Sequence, residues 1–225
     1  MSETEKPSRS FSDFLSRDAA VRDLAHRQRL ASIRLHLDQA PKLRSLSQLW
    51  TGPQTALFGA WGLAAELNHL ANHQQIDFIG ADLPRDADDL KLMRKVKLKV
   101  DKPFVISVSE VDEYCLYQVR ALGGDAVLLT TSKLNVVELQ YFIEFGRDLG
   151  LQTVLWCASE QDVDKLRKTD ARLVAGPAKM QATIQALAPQ RLAILFIESI
   201  AEVADLIKTD QAIGVMLHLD RFQSA

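Results

Sequence analysis

The chain has 225 residues, 47% of them hydrophobic and 25% charged, with a formal net charge of −2 and a sequence pI near 6.2. That length suits one barrel-sized domain with a sizeable core, and the balance excludes a disordered chain. No basic excess is present to attract a phosphate backbone, which argues against a nucleic-acid partner. The two cysteines, Cys115 and Cys157, lie far apart without a CxxC spacing, so neither a disulfide framework nor a thiolate zinc site is expected. The opening MSETEKPSRS is polar and lacks a signal-peptide core. No apolar run approaches the roughly 20 residues that cross a bilayer. The expectation is a soluble, reduced, cytoplasmic protein with no membrane partner and no cofactor.

Taken in chain order, residues 1–10 read as a disordered tail and 11–50 as a helical extension. Phe11, Phe14, Leu15, Ala19, Val21, Leu24, Leu30, Ile33 and Leu37 recur at mostly helical spacing, with Ser12 and Asp13 as caps and Pro41 as the stop. A short second helix over Lys42 to Trp50 leads into the turn Thr51-Gly52-Pro53. From 51 to 225 short apolar runs alternate with helical patterns. The strands expected are Ala56–Trp61, Ile76–Ala81, Phe104–Val108, Ala126–Thr130, Thr153–Cys157, Leu173–Ala175, Leu192–Ile197 and Ala212–Leu217. Helices fit between them over Leu63–His73, Ala87–Lys97, Asp112–Leu122, Val136–Leu149, Glu160–Lys168, Met180–Leu187 and Ile200–Lys208.

Strands alternating with helices of this length imply a parallel sheet, and their continuous apolar character implies burial on both faces. Eight repeats favour an α/β fold of the (βα)8 TIM-barrel type over an open doubly wound sheet. The sequence ends a few residues after the eighth strand, so a final helix is expected to be missing or truncated. Either the N-terminal helix or a second copy in a homo-oligomer must then cover that flank.

The middle of the chain, Lys102 to Leu166, resembles the third to fifth βα units of indole-3-glycerol phosphate synthase. Pro103, Asp112, Glu113, Tyr114, Tyr117 and Arg120 fit that family's text, as do Gly124-Asp125-Ala126-Val127-Leu128-Leu129, Leu149-Gly150-Leu151 and Ala171-Arg172-Leu173. The pre-barrel helix is similar to that family's N-terminal extension. Much of this match is scaffold, and scaffold fixes a fold rather than a chemistry.

The resemblance implies a lyase of tryptophan biosynthesis, which closes an indole ring from a carboxylated anilino-sugar phosphate with loss of carbon dioxide and water. It implies a lysine acid, a glutamate base and a phosphate site near strands seven and eight. This sequence departs at most of those positions. The family's E-I-K of strand one falls at Gly59, Ala60 and Trp61, its strand-three lysine at Ser107, and its strand-five glutamate at Trp156. The asparagine pair falls near Pro177 and Ala178. A serine, with a pKa far above neutrality, cannot replace an ammonium acid. Strand seven keeps Glu198 and Ser199, but the glycine that follows is Ile200, and the strand-eight glycine falls at Met216.

What remains divides into sharp and plain readings. Glu198, as a surviving catalytic carboxylate, and Ser199 form a ligand-binding pair, or Ser199 simply caps a helix. Lys133 and Lys179, with Glu198 and Asp82, bind a small anionic ligand, or they are solvated loop residues. Trp61 and Trp156 line a pocket for an aromatic ligand, or they occlude it. Cys157 lacks a histidine partner for nucleophilic catalysis. His69 and His73 share a helix face without a third ligand, so no metal is expected. The first expectation is a pseudoenzyme barrel that binds a ligand or partner; the alternative is an active carbon–carbon lyase.

Overall fold

Each strand is apolar on both faces, so both faces must be buried, and a closed barrel sheathed by helices does this without leaving an edge. The computed structural model describes residues 37, 40–51, 56–63, 65–67, 73–187, 191–206 and 213–218. Within them eight parallel strands close in sequence order: β1 Ala56–Trp61, β2 Phe78–Asp82, β3 Phe104–Val108, β4 Ala126–Thr130, β5 Gln152–Trp156, β6 Leu173–Pro177, β7 Leu192–Ile197 and β8 Ile213–His218. The last strand pairs with the first from Ala56–Ile213 through Trp61–His218. The chain is a (βα)8 barrel, and the open-sheet alternative is excluded. No helix among the described residues is long and apolar enough to cross a membrane.

The connecting helices are α1 Ala87–Lys99, α2 Glu113–Ala121, α3 Val136–Asp148, α4 Glu160–Arg167, α5 Gln181–Leu187 and α6 Val203–Leu206. Their starts follow from short polar side chains. Asp86, Asp112, Asn135 and Ser159 accept hydrogen bonds from the first free N–H groups of α1, α2, α3 and α4, and Asn135 and Ser159 form full capping boxes with Glu138 and Asp162. Gly123 and Gly150, with φ of 86° and 77°, turn the chain out of α2 and α3 in the left-handed region where a side chain is strained.

Two expected helices differ most. Lys42 to Trp50 narrows to a 3-10 helix, Leu46–Thr51, because its job is to seal the barrel base. Leu46 is fully buried there among the inward residues, and Trp50 tilts against Phe78 at 6.3 Å. The helix over Ile200–Lys208 begins as a 3-10 turn, Ile200–Glu202, before α6. The tail, the helix from Phe11 and the flank beyond Arg221 lie outside the described residues.

Strand alternation sorts the core into two shells. Ile79, Ile106, Val127, Leu129, Leu155, Val174, Leu195 and Val215 face the helices, whereas Leu57, Phe78, Val105, Leu128, Val154, Leu173, Ile194 and Met216 fill the barrel.

One buried ion pair ties the base together. The Lys97 ammonium on α1 donates to Asp125 Oδ2, and both side chains are fully buried. Asp125 also accepts from the N–H groups of Arg44 (2.6 Å) and Phe104 (2.8 Å), joining the strap before β1, helix α1 and strand β3 at one carboxylate. Burial holds the Lys97 ammonium below the ordinary lysine value, with Asp125 opposing that shift. Lys97→Met should therefore lower unfolding stability by about 3–5 kcal/mol in urea titrations, because it strands a buried carboxylate. The double variant Lys97→Met, Asp125→Asn should recover part of that loss; equal losses in both would show that the charge pair is not the cause.

Candidate functional site

In a barrel of this kind the C-terminal ends of the strands form the site, and only inward positions reach it. Here alternation brings Trp61, Asp82, Ser107, Thr130, Trp156, Pro177 and Phe196 to that end of β1 to β7. Trp61, Ser107 and Trp156 thus share the inward phase that positions assigned to chemistry require. Their side chains supply no titrating group near neutrality.

The two indoles are joined through a third ring. Phe196 meets Trp61 edge-on at 5.4 Å and 60°, and Trp156 at 4.9 Å and 89°. Such edge-to-face pairs place the positive rim of one ring on the negative face of the next. Trp61 is 6% exposed, so its surface is spent on packing, while Trp156 and Phe196 are half-buried. The Trp61 ring lies over Gly80, where any Cβ would collide with it. Neither Phe196 nor Gly80 was among the residues singled out in the sequence. A glycine inside a strand run was the available signal, since it marks a close approach.

Glu198 and Ser199 follow β7 and are exposed. Their backbone N–H groups both donate to Glu202 Oε1, at 3.1 and 3.0 Å, and the Ser199 hydroxyl lies 3.4 Å from the same oxygen. Ser199 also accepts the Glu202 N–H through its carbonyl at 3.2 Å. The geometry is that of a helix start, with a carboxylate from one turn later held against the two N–H groups at the end of β7.

Lys133, in the 3-10 turn Thr131–Lys133 after β4, donates to the Ser109 carbonyl at 2.7 Å, across the rim from β3. Lys179 is exposed in the turn Ala178–Met180 after β6 and sits one strand from Glu198. Lys165, which the sequence did not mark, holds the loop after β4 through the carbonyls of Thr131 (3.2 Å) and Leu134 (2.8 Å). Cys157 faces the helices rather than the mouth, fully buried and 3.8 Å from Thr131 Oγ1. Burial pushes its thiol up to about 11 and that of Cys115 up to about 12. Among the described residues no group of three or more histidine, cysteine or acidic side chains could hold a metal; His69 lies outside them.

No family model matches the chain. Curated relatives do. Over 82 residues the chain is 34% identical to the indole-3-glycerol phosphate synthase of Carboxydothermus hydrogenoformans, covering 36% of this chain and 31% of that protein. Over 103 residues it is 28% identical to the synthase of Neisseria meningitidis, covering 46% and 40%. Over these partial stretches the chain is similar to indole-3-glycerol phosphate synthase. The match spans less than half the length of these relatives.

Solved structures agree on the fold. The tryptophan synthase complex of Pyrococcus furiosus includes a chain with TM-score 0.55 and 15% identity, covering 72% of this chain and 86% of that one. The N-(5'-phosphoribosyl)anthranilate isomerase of the same organism gives 0.54, 14%, 72% and 88%.

Two outcomes follow from these placements. Gly80→Ala should lose about 1–3 kcal/mol of stability by overpacking against Trp61. In a Trp61→Leu background the same change should be nearly neutral, a coupling that a double-mutant cycle reads directly. In native protein at pH 8 both cysteines should react slowly with a thiol reagent and become reactive only on unfolding. A fast native thiol would place one of them in a different environment.

Proposed function

We propose that this barrel does not close an indole ring and acts instead by binding at its C-terminal mouth. The observation that carries the reading is the replacement, at inward strand ends, of positions the resemblance assigns to lysine and glutamate by Trp61, Ser107 and Trp156, with the two indoles locked on Phe196. Ring closure needs a proton donor and a base within hydrogen-bond reach of the substrate. Indole rings and a serine hydroxyl provide neither at neutral pH.

Support also comes from the end of β7, where Glu202 takes the two N–H groups that an incoming anion would use. The half-buried faces of Trp156 and Phe196 suit a flat aromatic ligand or an apolar side chain of a partner. On the flank of β7, β8 and β1, an apolar cavity of about 180 Å³ against Phe58, Ile197, Val203, Val215 and Leu217 gives self-association a seat, which light scattering would detect as a dimer.

The second reading, an active carboxy-lyase of the synthase type, rests on the retained Glu198 and Ser199 and on the relatives' activity. One assay separates the two. Purified protein is incubated with the carboxylated anilino-sugar phosphate, and indole-glycerol phosphate is measured by chromatography. Binding without chemistry predicts no product above the buffer rate and no change in Glu198→Gln. A rate that falls at least about 100-fold in Glu198→Gln would establish the lyase. Titration with the same compound, followed by tryptophan fluorescence, should give a saturable change through Trp156.

A further inference from the structure

We infer that the barrel carries an oxyanion site on its opposite, N-terminal face, between the end of α3 and the starts of β5 and β6, built on Arg172 and Thr153 for a phosphate or carboxylate on a small apolar body. A cavity of about 510 Å³ opens there, lined by Ile143, Arg147, Leu151, Thr153, Asp170 and Arg172, among others. The sheet register explains why the two central residues meet. Val154 pairs with Leu173, so one step earlier Thr153 stands beside Arg172, and both share the phase that faces the helices.

Thr153 is 8% exposed, and its Oγ1 is buried without a hydrogen-bond partner. A buried hydroxyl in that condition calls for a water, an ion or a ligand. Helix α3 presents Gly146 to it, and a Cβ at that position would come within 2.9 Å of Oγ1. Only a residue without a Cβ leaves the hydroxyl its space beneath the helix.

Among the residues that line the cavity, two arginines face one carboxylate, with Glu144 and Asp148 acting on Arg147 from outside the lining. Arg147 is matched by Asp170 at 2.7 Å, and that guanidinium holds the Asp170 carboxyl below its usual range. Arg172 is exposed and has no ion-pair partner among the described residues. The cavity therefore offers one planar guanidinium with free donors, the geometry that fits a phosphate or carboxylate with two parallel bonds. Ile143 and Leu151, each 4% exposed, give the remainder of the ligand an apolar wall.

Isothermal titration of the full chain with phenyl phosphate, inorganic phosphate and benzoate tests this. Phenyl phosphate should bind saturably and more tightly than inorganic phosphate, and comparison with benzoate assigns the preferred head group. Arg172→Gln should weaken binding by about tenfold or more through loss of charged hydrogen bonds. This exposed position leaves the fold intact, which circular dichroism checks. Thr153→Val, which removes the hydroxyl at constant shape, should weaken binding severalfold without lowering the melting temperature. Lys179→Gln, at the mouth, should change nothing. The inference is overturned if no compound binds, if Arg172→Gln binds as wild type does, or if Lys179→Gln alone weakens the titration. That last result would move the anion to the mouth and bear on the proposed function instead.

Discussion

The interior of an eight-stranded barrel has a fixed width, so every large inward side chain demands a small one across from it. This chain meets that constraint with glycine. Trp61 lies over Gly80, Trp50 sits against Gly214 from below, and Phe78 and Met216 close over Gly59. A Cβ at Gly59 would stand 2.6 Å from the Phe78 ring and 2.8 Å from the Met216 sulfur. Rings thus enter from both ends of the barrel and lock onto backbone. The aromatic mouth depends on this packing, since Trp61 fits only where β2 has no side chain.

The two ends of the barrel have separate tasks. At the base, polar groups are gathered and satisfied. Asp125 joins three segments, Arg120 donates to the Pro41 carbonyl at 3.0 Å, and Gln152 exchanges hydrogen bonds with Ser47. These contacts hold the strap before β1 across the strand starts, where a barrel invests in stability. At the mouth the inward positions are aromatic or uncharged except for Asp82, with the charges of Lys133 and Glu198 on its rim. Apolar packing at inward strand ends adds to the stability of the barrel.

How much of this was legible in the sequence varied with the kind of signal. Four strands, Ala56–Trp61, Phe104–Val108, Ala126–Thr130 and Leu192–Ile197, have the bounds their apolar runs set, because burial on both faces leaves no doubt of phase. Helix ends shifted by a residue or two, where cap side chains rather than apolar spacing decide. The segment from Lys42 to Trp50 misled because its helical spacing reflects three residues, Leu46, Leu49 and Trp50, that plug a barrel base. The inward placement of Trp61, Ser107 and Trp156 was legible once strands were aligned. Phe196 was not, since one phenylalanine in an apolar run looks like ordinary core. Lys97 sits in a lysine-rich helix that reads as solvated, and only the tertiary fold delivers Asp125 to it. Thr153 and Arg172 become a pair only through the β5–β6 register.

The same register logic decides how far a partial likeness to a synthase constrains chemistry. The likeness read over Lys102 to Leu166 covers caps, turns and outward-facing core, which any barrel of this kind needs. Catalysis depends on a few inward side chains at strand ends, each free to change without disturbing that scaffold. Trp61 and Trp156 occupy inward strand ends, and with Phe196 bridging them, a charge placed at either would break its ring contact with Phe196 and bring an unpaired group into the packed rings. The aromatic mouth is therefore self-reinforcing. Each ring makes a charged neighbour at these strand ends more costly to accommodate.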